Sequence, residues 1–198
     1  MTLTRSLVPL PGREPAQLLR QTFQEWGGRG DLWIFGYASL IWRPEFEHDE
    51  HHMAHVHGWH RALKMSSRVN RGSPECPGLV FGLISGGSCR GMVFRIPRRE
   101  VEDMLPRLWE REMPTGVYDP RWLHCRTAAG HTVQALAFTL SRRSPNFTGQ
   151  LSAAQYRRIL ASARGRYGST HDYAQTTYRH LLELGIRDQQ LEWILRCA

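Results

Sequence analysis

Lysine is all but missing from this chain. Of its 26 basic residues, Lys64 alone is a lysine and the rest are arginine. The formal charge is +8 and the pI near 9.9. That balance permits nucleic-acid binding. Yet the arginines are spread along the chain, in pairs such as Arg98-Arg99, Arg142-Arg143 and Arg157-Arg158. No basic tract is interleaved with aromatics. The near absence of lysine fits a compositional bias of the coding sequence better than a nucleic-acid footprint, so no nucleic-acid partner is expected. A positive field still favours an anionic substrate.

Other absences narrow the field further. No apolar run approaches the roughly 18 residues of a membrane span, so no membrane partner is expected. Pro9 and Pro11 break the N-terminal stretch before an apolar signal region can form, so a secretory leader is not expected. Cys76, Cys89, Cys125 and Cys197 make no C-x-x-C pair and read as reduced thiols in a cytoplasm. There is no Walker loop, no H-E-x-x-H and no G-x-S-x-G. The glycines of "GGRGDLWIFG" precede a strand, so they fail the dinucleotide-binding pattern.

What is present suits one domain of ordinary size, 198 residues with 41% hydrophobic content. Residues 14–27 read as a helix opened by Pro15 and stopped by Gly27-Gly28. Asp31 to Phe35 reads as a strand, 43–52 as a polar loop, and 53–66 as a strand bent at Gly58. "LVFGLIS" and "SCRGMVFRI" read as a hairpin joined at Gly86-Gly87. Residues 98–113 read as a helix that Pro106 should kink or divide. "WLHCRT" and "HTVQALAFTL" read as a second hairpin. Helices follow near 152–164, 171–184 and 188–196, with Ser152 and Asp188 as N-caps and Gly185 as a C-cap. The expected fold is α+β: a mostly antiparallel mixed sheet or open β-barrel with flanking helices. Residues 1–30 form an N-terminal extension with one helix, and 31–198 the main domain.

Three stretches carry candidate chemistry. "HDEHHMAHVHGWH" holds six of the ten histidines. His55 and His57 would share a strand face, which could suit a metal; an exposed loop running into a half-exposed strand is the preferred reading, and no functional metal is assigned. "WIFGYASLIW" breaks an apolar strand with Gly36-Tyr37-Ala38-Ser39 and then resumes. It is either a tight connection between core elements or a backbone loop shaped for a ligand. In "LWEREMPTGVY", Val101, Leu105, Leu108 and Glu112 fall at spacings of four, three and four. Glu112 therefore extends the apolar stripe, while Glu110 faces solvent. A carboxylate on the inward face must pair with a cation, be protonated or line a pocket. Arg111 is a candidate partner, although adjacent helix positions do not face each other. At the edge of a core such a group has a raised pKa and can act as a base.

These features together resemble the ChaC family of γ-glutamylcyclotransferases. The family carries F-G-Y-G-S-L-[IV]-W; here it stands as "FGYASLIW". A loop similar to "RGSPECPG" follows, then an R-E motif with glycine and tyrosine after it, here Arg111-Glu112 and Gly116-Val117-Tyr118. The end is similar to "STHDYAQTTYRHLLELGIRDQQL". The resemblance covers roughly 31–195. It implies cyclisation of the γ-glutamyl group of glutathione, releasing 5-oxoproline and Cys-Gly without cofactor or metal. Glu112 would be the catalytic base and acid. Phe35, Gly36, Tyr37, Ala38, Ser39 and Leu40 would cradle the glutamyl end, with Arg71, Tyr118 and Tyr173 also binding substrate. Other γ-glutamyl amines as substrates, or a basic binding module that keeps the fold without catalysis, are the alternatives. Ala38 stands where the family usually has glycine. A negative φ is expected there, because a left-handed alanine costs roughly 1–2 kcal/mol.

Overall fold

The computed structural model describes residues 13–198. The reading of the N-terminal stretch as free of a leader lies outside the described residues. By its internal contacts the chain divides into two compact units. One runs up to His60 and includes Ser85–Leu140; the other joins Arg61–Ile84 to Ser141–Ala198.

The first unit opens with α1 (Pro15–Trp26). Pro15 sits at its start, where a missing N–H costs nothing. Gly27 ends it in a left-handed conformation, its N–H bonded to the Phe23 carbonyl. The strand β1 (Leu32–Gly36) follows. Next comes α2 (Ser39–Trp42), so the apolar residues that resume after the break form a single helical turn. Two long strands, β2 (Glu50–Ser67) and β3 (Gly78–Ile96), contribute residues to both units. The unit is completed by α3 (Arg98–Glu112), β4 (Asp119–Thr127) and β5 (Thr132–Thr139).

The five strands close into a barrel in the order β1-β3-β2-β4-β5. The fold is α+β, as the sequence implies. β1 runs antiparallel to β3, with Phe35 opposite Val93, and β4 antiparallel to β5. A parallel pairing of Trp33 and Ile34 with Ala135 and Leu136 joins β5 to β1. The first unit's core includes Ile34, Phe35, Ile96, Leu105, Leu136 and Phe138, each at most 1% exposed. That dry core holds the end of β1 rigid where the loop at 36–39 departs.

Two expectations are corrected. Gly86 and Gly87 do not form a hairpin turn. Both have positive φ, 97° and 73°, yet stay inside one continuous strand. The Gly86 carbonyl lies 2.7 Å from His60 Nδ1 on the neighbouring β2. Glycines of this kind mark an irregularity within a strand as readily as a turn. Of the kink or division expected at Pro106, the division does not occur. The hydrogen bond Pro106 removes is to the carbonyl of Glu102, an exposed residue, where water can replace it.

In the second unit, α4 (Ala153–Ser162) starts with a capping box made by Ser152 and Gln155. Short strands β6 (Arg164–Gly165) and β7 (Gly168–Ser169) pair with each other. They lead into α5 (Thr170–Glu183) and α6 (Gln189–Arg196). Asp188 does two jobs there. One oxygen caps α6 through Leu191 N at 3.0 Å, and the other pairs with the buried Arg61 at 3.0 Å. Leu63, Leu79, Leu83, Ile84, Tyr156, Leu181 and Ile194 are buried in this unit.

Candidate active site

In the first unit, the periodicity that singled out Glu112 corresponds to a real face. Val101, Leu105 and Leu108 are buried, and Glu110 is exposed. Glu112 ends α3 with its side chain 16% exposed. Burial pushes its pKa up; the Arg111 guanidinium opposes that rise and the Glu45 carboxylate adds to it. Its place in the last helical turn works in the same direction, since the negative end of the helix disfavours an anion.

Arg111 does reach its neighbour. Its Nε lies 3.1 Å from Glu112 Oε1. Adjacent helix positions do not face each other, and the contact is made by two long side chains that converge past the end of α3. Arg111 Nη1 also donates to the carbonyls of Arg43 and Pro44, at 2.6 and 3.0 Å. The end of α3 is thereby tied to the segment that follows α2.

The loop from Phe35 to Leu40 is held from several sides. Phe35 and Leu40 are buried, as is Tyr37. The Tyr37 hydroxyl donates to the Phe138 carbonyl at 2.8 Å. The rings of Tyr118 and Trp109 also approach the Phe138 ring, with centroids 6.5 and 5.5 Å away. Phe138 thus connects the loop, α3 and the segment carrying Tyr118. Across from the loop, Gly91 has no room for a side chain: a Cβ there would run into the Gly36 carbonyl. Ala38 has φ −143° and ψ −115°, so the alanine meets the negative-φ expectation. Ser39 and Leu40 open α2, and amides of a first helical turn have no acceptor within the helix.

Tyr118 follows a turn at Gly116, whose φ is 64°. A Cβ at Gly116 would collide with the Arg13 carbonyl. The Arg13 side chain grips the same turn. It donates to the carbonyls of Gly116 and Tyr118, at 2.9 and 2.8 Å, and pairs with Asp119 at 2.7 Å.

Within the second unit, the Arg71 guanidinium lies over the Tyr173 ring, 4.6 Å from its centroid. It also donates to the Tyr167 carbonyl. Phe81 packs on the other partner, its ring 5.4 Å from Tyr173. The buried Thr170 hydroxyl accepts from Leu79 N at 2.9 Å and donates to the Arg71 carbonyl at 3.2 Å. That hydroxyl fixes the backbone from which Arg71 projects.

Glu112, the 35–40 loop and Tyr118 are therefore assembled in one unit, and Arg71 and Tyr173 meet in the other. Sequence reasoning missed Glu45, Arg13, Phe138 and Thr170. Each acts through a partner far away along the chain, which no local pattern reveals. Among the described residues, no group of three or more His, Cys, Asp or Glu side chains is placed to hold a metal ion. The His55 and His57 rings do meet, edge to face, with centroids 4.2 Å apart, and the pKa of His55 is lowered by burial and by its neighbour.

Residues 32–198 match the ChaC-like protein family. The chain belongs to that family. A relative from Escherichia coli (strain K12), a glutathione-specific gamma-glutamylcyclotransferase, is 35% identical over 84% of this chain and 72% of its own. A glutathione-specific gamma-glutamylcyclotransferase 1 from Rattus norvegicus is 27% identical over 83% of this chain and 76% of its own. A crystal structure of a yeast gamma-glutamyl cyclotransferase specific to glutathione superposes with TM-score 0.77. It is 18% identical and covers 85% of this ChaC-like chain and 96% of its own. At that identity the likeness establishes the fold. Arg13 and α1 precede the stretch matched to the ChaC-like family.

Proposed function

We propose that this ChaC-like protein cyclises the γ-glutamyl group of glutathione and releases 5-oxoproline and Cys-Gly. The observation that carries the reading is Glu112, a carboxylate of raised pKa at the end of a helix that Arg111 ties to the segment after the motif loop, in a chain with relatives named glutathione-specific gamma-glutamylcyclotransferases. The α-amine of the glutamyl residue attacks its own γ-carbonyl. A C–N bond closes the five-membered ring, and the C–N bond to the cysteinyl nitrogen breaks. The ammonium sheds two protons, one before attack and one as the lactam N–H forms, and the departing nitrogen gains two to leave as an ammonium; Glu112 takes and returns a proton at each stage, so protons balance across the turnover. Holding the amine and carbonyl together contributes much of the rate, since well-oriented intramolecular reactions reach effective molarities of about 10⁵–10⁸ M.

The loop from Phe35 to Leu40 is the proposed cradle for the glutamyl end. Its backbone amides at Ser39 and Leu40 suit a carboxylate or a developing oxyanion. Ser39 serves as a turn and binding residue, not as a nucleophile. Tyr118 is proposed to contact substrate. Arg71 and Tyr173 keep the substrate-binding role that the family resemblance implies, and Arg71→Ala is expected to raise KM. The cytoplasm is the proposed compartment, in keeping with four free cysteines. Among the described residues no helix is long and apolar enough to cross a membrane.

The test is incubation of the purified protein with glutathione and a panel of γ-glutamyl amino acids, read by mass spectrometry. Glutathione is expected to be consumed fastest. Faster turnover of another γ-glutamyl amine would reassign the substrate. Silence on all of them would favour a non-catalytic module.

A further inference from the structure

Arg111 is shared between two carboxylates. Its Nε faces Glu112 Oε1 at 3.1 Å, and its Nη1 faces Glu45 Oε2 at 3.0 Å. The other Glu45 oxygen accepts from Arg43 Nε at 2.6 Å. Glu45 is also the one non-glycine residue with positive φ, 58°, among the described residues. A left-handed conformation is sterically disfavoured for an ordinary L-residue. What the backbone gains at this position is a carboxylate delivered to Arg111.

The charge balance explains why that matters. An arginine devoted to Glu112 alone would hold it as a stable carboxylate, too weak a base for an ammonium. The geometry points to Glu45 as a positioning residue that divides Arg111 between two carboxylates and so keeps Glu112 able to accept and return a proton. This rests on the reading of Glu112 as the acid–base group. The charged groups that face Glu112 are Arg111 on its own helix and Glu45 from the segment after α2, with Arg43 behind Glu45. Glu45 supplies negative charge that opposes ionisation of Glu112 and occupies part of the guanidinium. Its loss removes both effects, and the ionised form of Glu112 is then favoured.

The experiment is a carboxyl titration of the full chain by ¹³C NMR, with ¹³Cδ-labelled glutamate. The Glu112 signal is assigned by its disappearance in Glu112→Gln. In Glu45→Gln its midpoint should fall by at least about half a pH unit, toward the ordinary carboxylate value. The acid limb of kcat/KM should fall with it. Arg111→Gln should move both upward, and Glu110→Gln on the exposed face should move neither. An unchanged Glu112 midpoint in Glu45→Gln overturns the inference, even if activity drops, because a merely structural role would lower activity without moving the titration. Full activity of Glu112→Gln would instead overturn the acid–base assignment, and the titration still reads the network by itself.

Discussion

As the proposed base, Glu112 carries opposite demands, since a good base must be poorly solvated and a stable protein prefers its carboxylates wet. The folded protein holds its pKa above the usual carboxylate range, chiefly by burial. A group whose folded pKa is raised binds its proton more tightly in the native state. It therefore costs no stability below the unfolded pKa, and costs progressively more as pH rises through the folded value. Glu112→Gln removes that cost. The variant is expected to be more stable than the parent at neutral pH, with the difference vanishing below about pH 4. Melting temperatures across this range check the sign; a variant that is less stable at neutral pH would contradict it. The inward placement of Glu112 was legible because helical periodicity is local. The sequence offers Arg111 as its partner, but helix geometry alone could not decide the contact, which depends on how far two long side chains reach along the helix surface. Ala38 was readable in sign, since an alanine that replaces glycine must avoid a left-handed backbone or bear its cost.

Among the elements, α1 shows most clearly how a segment outside the family match can serve the site. It is bonded to the first unit through Trp109 Nε1 to the Pro15 carbonyl, at 2.8 Å, and Trp122 Nε1 to Glu25, at 2.7 Å. Arg13, just before it, holds the turn that presents Tyr118. Arg13→Ala should cost little stability, about 1 kcal/mol, because its ion pair with Asp119 is partly exposed. It should cost more in catalysis, about 10–100-fold in kcat/KM, if the turn shifts a substrate contact by an ångström. Equal kcat/KM for Arg13→Ala and the parent would show that the clamp is dispensable. The sequence showed this helix through its apolar stripe, Pro15 and Gly27. It could not show where the helix docks, because the partners are about a hundred residues away. The Gly86-Gly87 pair illustrates a different limit: a glycine pair licenses positive φ but does not say whether the chain turns there or continues within a strand.

For the whole molecule, α+β architecture was readable from alternating apolar runs and the helical C-terminal third. Closure of the barrel was not, because it depends on the parallel pairing of β1 with β5, residues a hundred positions apart. The charge of +8 is distributed rather than concentrated. A net positive field should draw in an anionic tripeptide, and salt screens it over a Debye length of about 8 Å at physiological ionic strength. kcat/KM for glutathione is accordingly expected to fall as ionic strength rises, mainly through KM. A salt-independent kcat/KM would confine the relevant charges to the site itself.

The central claim is an intramolecular cyclisation driven by Glu112, and mass spectrometry of the products formed from glutathione in ¹⁸O-water tests it most directly. The parent should yield 5-oxoproline and Cys-Gly with no solvent oxygen in either, and Glu112→Gln should be slower by about 10²–10⁴-fold. Glutamate carrying ¹⁸O, which marks hydrolysis, or an undiminished rate in Glu112→Gln, would contradict it.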